Sequence, residues 1–278
     1  MSRWLFEWHA CMSAIQFLTR IPVPGGMHQP GADLAILQHS IIYYPLVGGL
    51  LALLTGTIYG LACLVWIPLV AALLALAFEA FTTGGFHEDA VADSCDAFGG
   101  GWTRDDILRI LKDSRVGSYG ALGLILAIGL RASLISSLVV TPENLLLVVA
   151  LVASSGAIGR WTILVMRIAY PLVSGRDGLS KDIAGDVRPG MFLAGTLWLL
   201  PTLIFVLTVT LATAADRWEV MVISVKLAGA VSLSALCGWL WGRFAVQKIG
   251  GLTGDVLGCG CYLGQIMTLL VLTFTIPR

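Results

Sequence analysis

Residues 84–100 read GGFHEDAVADSCDAFGG and gather His87, Glu88, Asp89, Asp93 and Asp96 in a chain otherwise poor in charge. Asp89, Asp93 and Asp96 recur at i, i+4 and i+7, which on a helix is one stripe. Like charges so placed repel one another unless something positive sits among them. A solvated helix face would surround such acids with polar side chains, yet Ala90, Val91, Ala92, Cys95, Ala97 and Phe98 lie around them. Ionisable groups are costly at the edge of an apolar layer and point to function. Oxygen ligands favour Mg²⁺ or Ca²⁺ over zinc, and Mg²⁺ takes one or two carboxylates while leaving positions for phosphate oxygens. Asp89, Asp93 and Asp96 are therefore candidate Mg²⁺ ligands. An H-E-x-x-H zinc site would need His at position 91, which is Val, and neither an EF-hand spacing nor a P-loop occurs.

The next stretch, GWTRDDILRILKDSRVGSYG at 101–120, supplies opposite charge. Thr103 and Asp106 read as the capped start of a short helix, and Gly117 reads as its stop. Along that helix Arg109 is expected to pair with Asp113 at i,i+4, while Lys112 and Arg115 share a face. Arg binds phosphate as a planar fork and Lys binds it as a point charge. Two further loops are polar: 174–190, with Arg176, Asp177, Lys181, Asp182, Asp186 and Arg188, and 250–258, where Thr253 and Asp255 stand between glycines. Glycine-rich loops offer N–H groups to anions, and they also simply make turns. Arg160 lies inside an apolar run and needs an anion, either a carboxylate such as Glu79 or a substrate phosphate. Carboxylates that hold metal beside cations that hold phosphate suit phosphoryl or nucleotidyl transfer.

The elements that must carry these residues are membrane helices. The 278 residues are 57% hydrophobic and 12% charged, with mean hydropathy +0.87, against about 25% charge in soluble domains. The net charge is zero, so no global field attracts nucleic acid. Runs near 41–63, 65–83, 119–140, 144–170, 191–215, 219–245 and 261–276 approach the ~20 apolar residues a span needs. The expected fold is all-α: a polytopic bundle of about seven spans forming one membrane-embedded catalytic domain over residues 1–278. Pro45, Pro68 and Pro201 are expected to kink or bound spans. Residues 4–18 mix apolar side chains with Glu7 and His9, reading as an interfacial helix and not as a cleaved signal. Of the 17 Lys and Arg residues, Arg217 and Arg278 fall on one side and four fall within runs. The remaining eleven share the side of the acidic loop, which the positive-inside rule places in the cytoplasm. The six cysteines, Cys259 and Cys261 included, read as buried thiols.

FLTRIPVP (17–24), YPLVGG (44–49), TGGFHEDAVADSCDAFGG (83–100), KDSRVGSYG (112–120) and TGDVLG (253–258) occur in that order. Together they resemble the cobalamin synthase family, the adenosylcobinamide-GDP ribazoletransferases, over nearly the whole chain. The resemblance implies a multi-pass enzyme of the bacterial inner membrane that requires Mg²⁺. Such an enzyme joins adenosylcobinamide-GDP to α-ribazole or its 5′-phosphate, releases GMP, and forms adenosylcobalamin or its 5′-phosphate. The family's acidic motif falls on His87, Asp89, Asp93 and Asp96. Its basic motif falls on Lys112, Asp113, Ser114 and Arg115, and its late motif on Thr253, Gly254 and Asp255. Metal is assigned to Asp89, Asp93 and Asp96. Substrate contact goes to Lys112, Asp113, Ser114, Arg115, Arg160, Thr253 and Asp255, with His87, Asp96 and Lys112 as the catalytic set. His87 is the general-base candidate because an unshifted imidazole titrates near neutrality; orienting an aspartate is its alternative role. Ala90 and Ala97 stand where the family often has glycine, which favours a helix. Tyr262 and Gln265 stand where it often has acids. Other cobalamin-pathway enzymes are expected partners if the membrane serves to hold a scarce intermediate near them. The rival readings are a CDP-alcohol phosphotransferase, whose D-x-x-D-G-x-x-A-R order is not met, and a divalent-cation transporter, which would bury its acids near the midplane.

Overall fold

The computed structural model describes residues 2–23, 34–173 and 186–275. Arg176, Asp177, Lys181 and Asp182 lie outside the described residues. Among those described there are twelve α-helices and no strand beyond one isolated bridge between Leu172 and Leu252. In chain order they are α1 (Arg3–Leu18), α2 (Leu34–His39), α3 (Tyr44–Ala62), α4 (Pro68–Thr83), α5 (Phe86–Gly100) and α6 (Arg104–Ile110), followed by α7 (Ser118–Ser136), α8 (Leu145–Ala169), α9 (Pro189–Leu197), α10 (Leu200–Thr213), α11 (Arg217–Ile249) and α12 (Gly254–Thr273). Six stretches are long and apolar enough to cross a bilayer: 34–62, 118–136, 145–169, 189–213, 217–249 and 254–273. A seventh arises if α4 and α5, bent by 91° at their junction, count as one broken span. The all-helical polytopic bundle expected from the apolar runs is the fold observed.

α8 is the axis of the bundle. Its best membrane window is 94% buried, against 22% for α7 and 17% for α11. With no hydrophobic drive between helices in lipid, close approach depends on small side chains. Ala153, Ser154, Ser155, Gly156, Ala157 and Gly159 supply them along α8. A methyl on Gly156 would stand 3.2 Å from the Gly48 carbonyl carbon of α3, so any larger residue there would part the two helices. The outer helices send leucines into the lipid layer, among them Leu122 and Leu126 of α7 and Leu233, Leu236 and Leu240 of α11. The prolines begin helices more than they kink them. Pro45 and Pro68 occupy the first turns of α3 and α4, where a missing N–H costs nothing, and Pro201 follows the break between α9 and α10. α1 forms over the segment read as an interfacial helix. Its Trp4 and Trp8 are exposed and stacked at 6.1 Å, and Glu7 accepts from Tyr43 Oη at 2.8 Å.

One end of the bundle collects the polar segments. Gly84 and Gly85, at φ 76° and 71°, adopt the left-handed backbone that only glycine takes without strain. They turn the chain by 91° from α4 into α5, which then packs along α7 and α12. The Arg20 N–H donates to Thr82 O at 2.8 Å, Arg104 Nε donates to Ile249 O at 3.0 Å, and Val173 N donates to Leu252 O at 3.0 Å. These bonds tie the segments after α1, α4, α8 and α11 to the same end, as the charge asymmetry anticipated.

Candidate active site

The aspartate stripe forms as the spacing predicts, on one helix. Asp89 is exposed, and Asp93 and Asp96 are half-buried. α12 starts beside it. Thr253 caps that helix by accepting from Val256 N at 3.3 Å, and it donates to Asp255 Oδ2 at 3.4 Å. Ser94 Oγ donates to the Asp255 carbonyl at 3.3 Å and so joins the two helices. Their contact is tight. A methyl on Gly258 would lie 2.6 Å from the Cβ of Ala90, so a glycine opposite absorbs the alanine that α5 carries in place of the family's glycine. Asp255 thereby joins Asp89, Asp93 and Asp96. Burial first, and then the charges of Asp89, Asp255 and Asp96, push the Asp93 carboxyl up to about 6.

Asp96 has a second task that its position in the sequence does not announce. Its two oxygens accept from Gly117 N at 2.7 Å and Gly120 N at 2.8 Å, which are the cap and the third residue of α7. A carboxylate at a helix start satisfies orphan N–H groups and meets the positive end of the helix dipole. A side chain on Gly120 would overlap that carboxylate, its Cβ 2.8 Å from Asp96 Cγ. Gly117 therefore opens α7. The expected helix stop at this position is corrected, because the short helix ends at Ile110. Its start is as expected: Asp106 N donates to Thr103 Oγ1 at 3.2 Å.

The basic segment between α6 and α7 is a loop, so Lys112 and Arg115 do not share a helix face. Arg109 lies 3.7 Å from Asp106 instead of pairing with Asp113. Asp113 takes the guanidinium of Arg115 in a fork, at 2.9 Å from Nε and 2.7 Å from Nη2. Those bonds hold its carboxyl down, at about 2. Lys112, Ser114 and Arg115 are exposed.

One turn back along α5 the chemistry changes. His87 is buried, with its Nε2 unpartnered. Arg160 and Arg131 lie near it, and it belongs to a deeper cluster than the stripe. Glu79 of α4 forms the centre of that cluster. Its Oε2 accepts from Arg131 Nη2 at 2.7 Å and from Thr55 Oγ1 at 3.1 Å, and its Oε1 accepts from Arg160 Nη2 at 3.4 Å. Arg160 has thus found the carboxylate partner expected of it. Arg131 and Tyr262 were not anticipated in this role. The Arg131 guanidinium lies 5.3 Å from the Tyr262 ring centroid and 4.0 Å from Glu88 Oε1. The available signal was a lone arginine inside an apolar run, the same argument that singled out Arg160.

As placed, no three His, Cys, Asp or Glu groups among the described residues converge on one metal position. The donors are hard carboxylate oxygens. This set fits a cation held by one or two carboxylates, with water and phosphate oxygens completing its shell.

Fold and site define a polytopic membrane protein with an acidic stripe, two helix N-termini and a basic loop at one end of its bundle. Within that class the chain belongs to the cobalamin-5-phosphate synthase family, whose sequence profile matches residues 10–273. It is 34% identical to an adenosylcobinamide-GDP ribazoletransferase of Ralstonia pickettii, over 96% of this chain and 94% of the relative. It is 35% identical to one of Shewanella frigidimarina, over 97% and 96%. The enzyme of that name from Bradyrhizobium diazoefficiens is 36% identical, over 93% and 90%. No solved structure matches the chain.

Proposed function

We propose that this protein is a Mg²⁺-dependent adenosylcobinamide-GDP ribazoletransferase, acting as a single catalytic domain in the bacterial inner membrane with its site facing the cytoplasm. The observation that carries the reading is the carboxylate cluster of Asp89, Asp93, Asp96 and Asp255 in a chain of this family. Its acids crowd one another, and the cluster lies beside two helix N-termini and a basic loop. In the reaction a ribose hydroxyl that is free both in α-ribazole and in its 5′-phosphate forms a bond to the cobinamide-linked phosphorus. The P–O bond to GMP breaks, GMP leaves with that electron pair, and the hydroxyl proton passes to a base.

Asp89 and Asp93 would hold the cation, with water and phosphate oxygens completing its shell. When bound, Mg²⁺ neutralises phosphate charge as GMP departs. Asp96 fixes the start of α7 against the stripe. Arg115, already pre-set by Asp113, and Lys112 present donors to the diphosphate from the solvent side. Arg160 keeps Nε and Nη1 unpartnered at the floor of the site. His87, with its Nε2 unpartnered, is the candidate base. The apolar helices keep the protein in the bilayer, and the bias of Lys and Arg toward the site end supports the cytoplasmic orientation. In vesicles supplied with adenosylcobinamide-GDP, α-ribazole and Mg²⁺, the protein should release GMP and form a complete corrinoid, and EDTA should stop both. GMP release without the corrinoid product would replace this reading with hydrolysis or another acceptor.

A further inference from the structure

The Glu79 cluster is assembled from side chains of six helices: Thr55 of α3, Glu79 of α4, His87 and Glu88 of α5, Arg131 of α7, Arg160 of α8, and Tyr262 of α12. Glu79, His87, Arg131 and Arg160 are each at most 2% exposed. Two of the cluster's members form the first turn of the helix that carries the aspartate stripe, immediately after the Gly84–Gly85 bend. Those two glycines add no side chain to hold the bend, and a methyl on Gly85 would meet nothing within 4 Å. The direction of α5 must therefore be held from elsewhere. Arg131 joins Glu79 just before the bend, at 2.7 Å, to Glu88 just after it, at 4.0 Å. The same arginine comes from α7, whose other end is capped by Asp96 of the stripe. α5 is thus tied to α7 at both ends, once by a carboxylate on a helix start and once by this buried pair.

Resting on the transferase reading, we infer that Glu79 and Arg131 are positioning residues for the reaction: their buried pair bridges the α4–α5 bend and aims the aspartate stripe at the phosphates and their cation. Neither residue touches substrate. Their role acts through Glu88 and His87 on the orientation of Asp89 and Asp93, so it should be read in turnover and in cation dependence as well as in stability.

The test uses the full-length protein with Glu79→Gln, Arg131→Gln and the double variant. For each, the folded fraction in detergent, kcat, KM for adenosylcobinamide-GDP and the Mg²⁺ concentration at half-maximal rate are measured. Each single variant, per folded molecule, should lose at least about tenfold in kcat and need more Mg²⁺, with a smaller change in KM. The double variant, which keeps the cluster's net charge at zero with Glu88 and Arg160 remaining, should lose less than the product of the two single losses. A single variant that fails to fold leaves the double to decide, since the buried cluster carries no excess charge there. Wild-type kcat and Mg²⁺ dependence in the folded variants would overturn the inference and leave the transferase standing. So would losses in the double equal to that product. A wild-type protein that releases no GMP would overturn the transferase reading itself, before any variant is compared.

Discussion

Asp93 and Glu79 lie on consecutive helices, and both are acids in an apolar chain, yet their surroundings are opposite. Glu79 is enclosed and accepts from two arginines and a threonine. Asp93 is half-buried and is faced by three further carboxylates. The deeper acid has its counter-charge built into the chain. The outer one is crowded by like charge. A cluster of opposite charges fastens helices together, whereas carboxylates gathered at a half-buried position suit a cation.

Removing one charge from each cluster separates the two roles most widely. Asp93→Asn keeps the shape of the side chain, so the protein should insert and fold while turnover falls by about a hundredfold or more. Comparable turnover would sink the assignment of this residue to the cation. Arg131→Met should do the reverse in emphasis, because it removes the closer of the two arginines on Glu79 and leaves the buried cluster with excess negative charge. A loss of about 3–5 kcal/mol is expected for such a broken buried pair, visible as a lower midpoint of thermal unfolding in detergent. Stability equal to wild type would mean that Arg160 alone holds Glu79.

Asp96 sits between the two cases, since it belongs to the stripe and also caps α7. Asp96→Ala should cost about 1 kcal/mol of stability through the lost cap, together with activity. Asp96→Ser, which can still accept at a helix start, should recover more stability than activity. Equal recovery of both would reduce its role to capping alone.

The stripe should also respond to pH, in a direction that can be worked out. The Asp93 carboxyl is raised from 3.8 to about 6. The folded protein therefore takes up this proton before the unfolded chain does. Without divalent cation, stability should fall as pH rises from about 4 through 6, and Mg²⁺ should restore it at neutral pH. The Mg²⁺ needed for half-maximal rate should climb as pH drops through 6, because a protonated carboxyl no longer binds metal. A flat Mg²⁺ requirement between pH 5 and 8 would contradict the shared environment of the four acids. The smallest effect is expected in the basic loop. Arg115→Lys keeps the charge and loses the fork on Asp113, so KM for the GDP-activated substrate should rise several-fold with kcat little changed. Unaltered kinetics would leave Arg115 as a loop brace.

Much of this was legible from local pattern. The apolar runs found the spans because a bilayer admits few other ways to satisfy backbone groups, and the i, i+4, i+7 spacing found the stripe because it lies on one helix. Thr103 was legible as a cap because its partner is three residues away. The features that went unread are those made by distant segments. Nothing local to Asp96 says that Gly117 and Gly120 will lie on its oxygens, and Gly117 looked like a helix end because the chain there must turn in either case. The break of the basic segment at Ile110 follows from Arg115 folding back on Asp113, a contact two residues long that competes with a helix. Arg131 was counted only as a basic residue within a span, although it meets Glu79 and Glu88 from two other helices.

The account rests most directly on the claim that the aspartate cluster binds a divalent cation. Mn²⁺ can stand in for Mg²⁺, and its free form can be followed by electron paramagnetic resonance as purified protein is titrated. Wild-type protein should remove Mn²⁺ from solution with saturable stoichiometry, Mg²⁺ should compete, and Asp93→Asn should bind far more weakly while remaining folded. Binding that is undiminished in Asp93→Asn, or absent from a wild-type protein that still turns over, would contradict the claim.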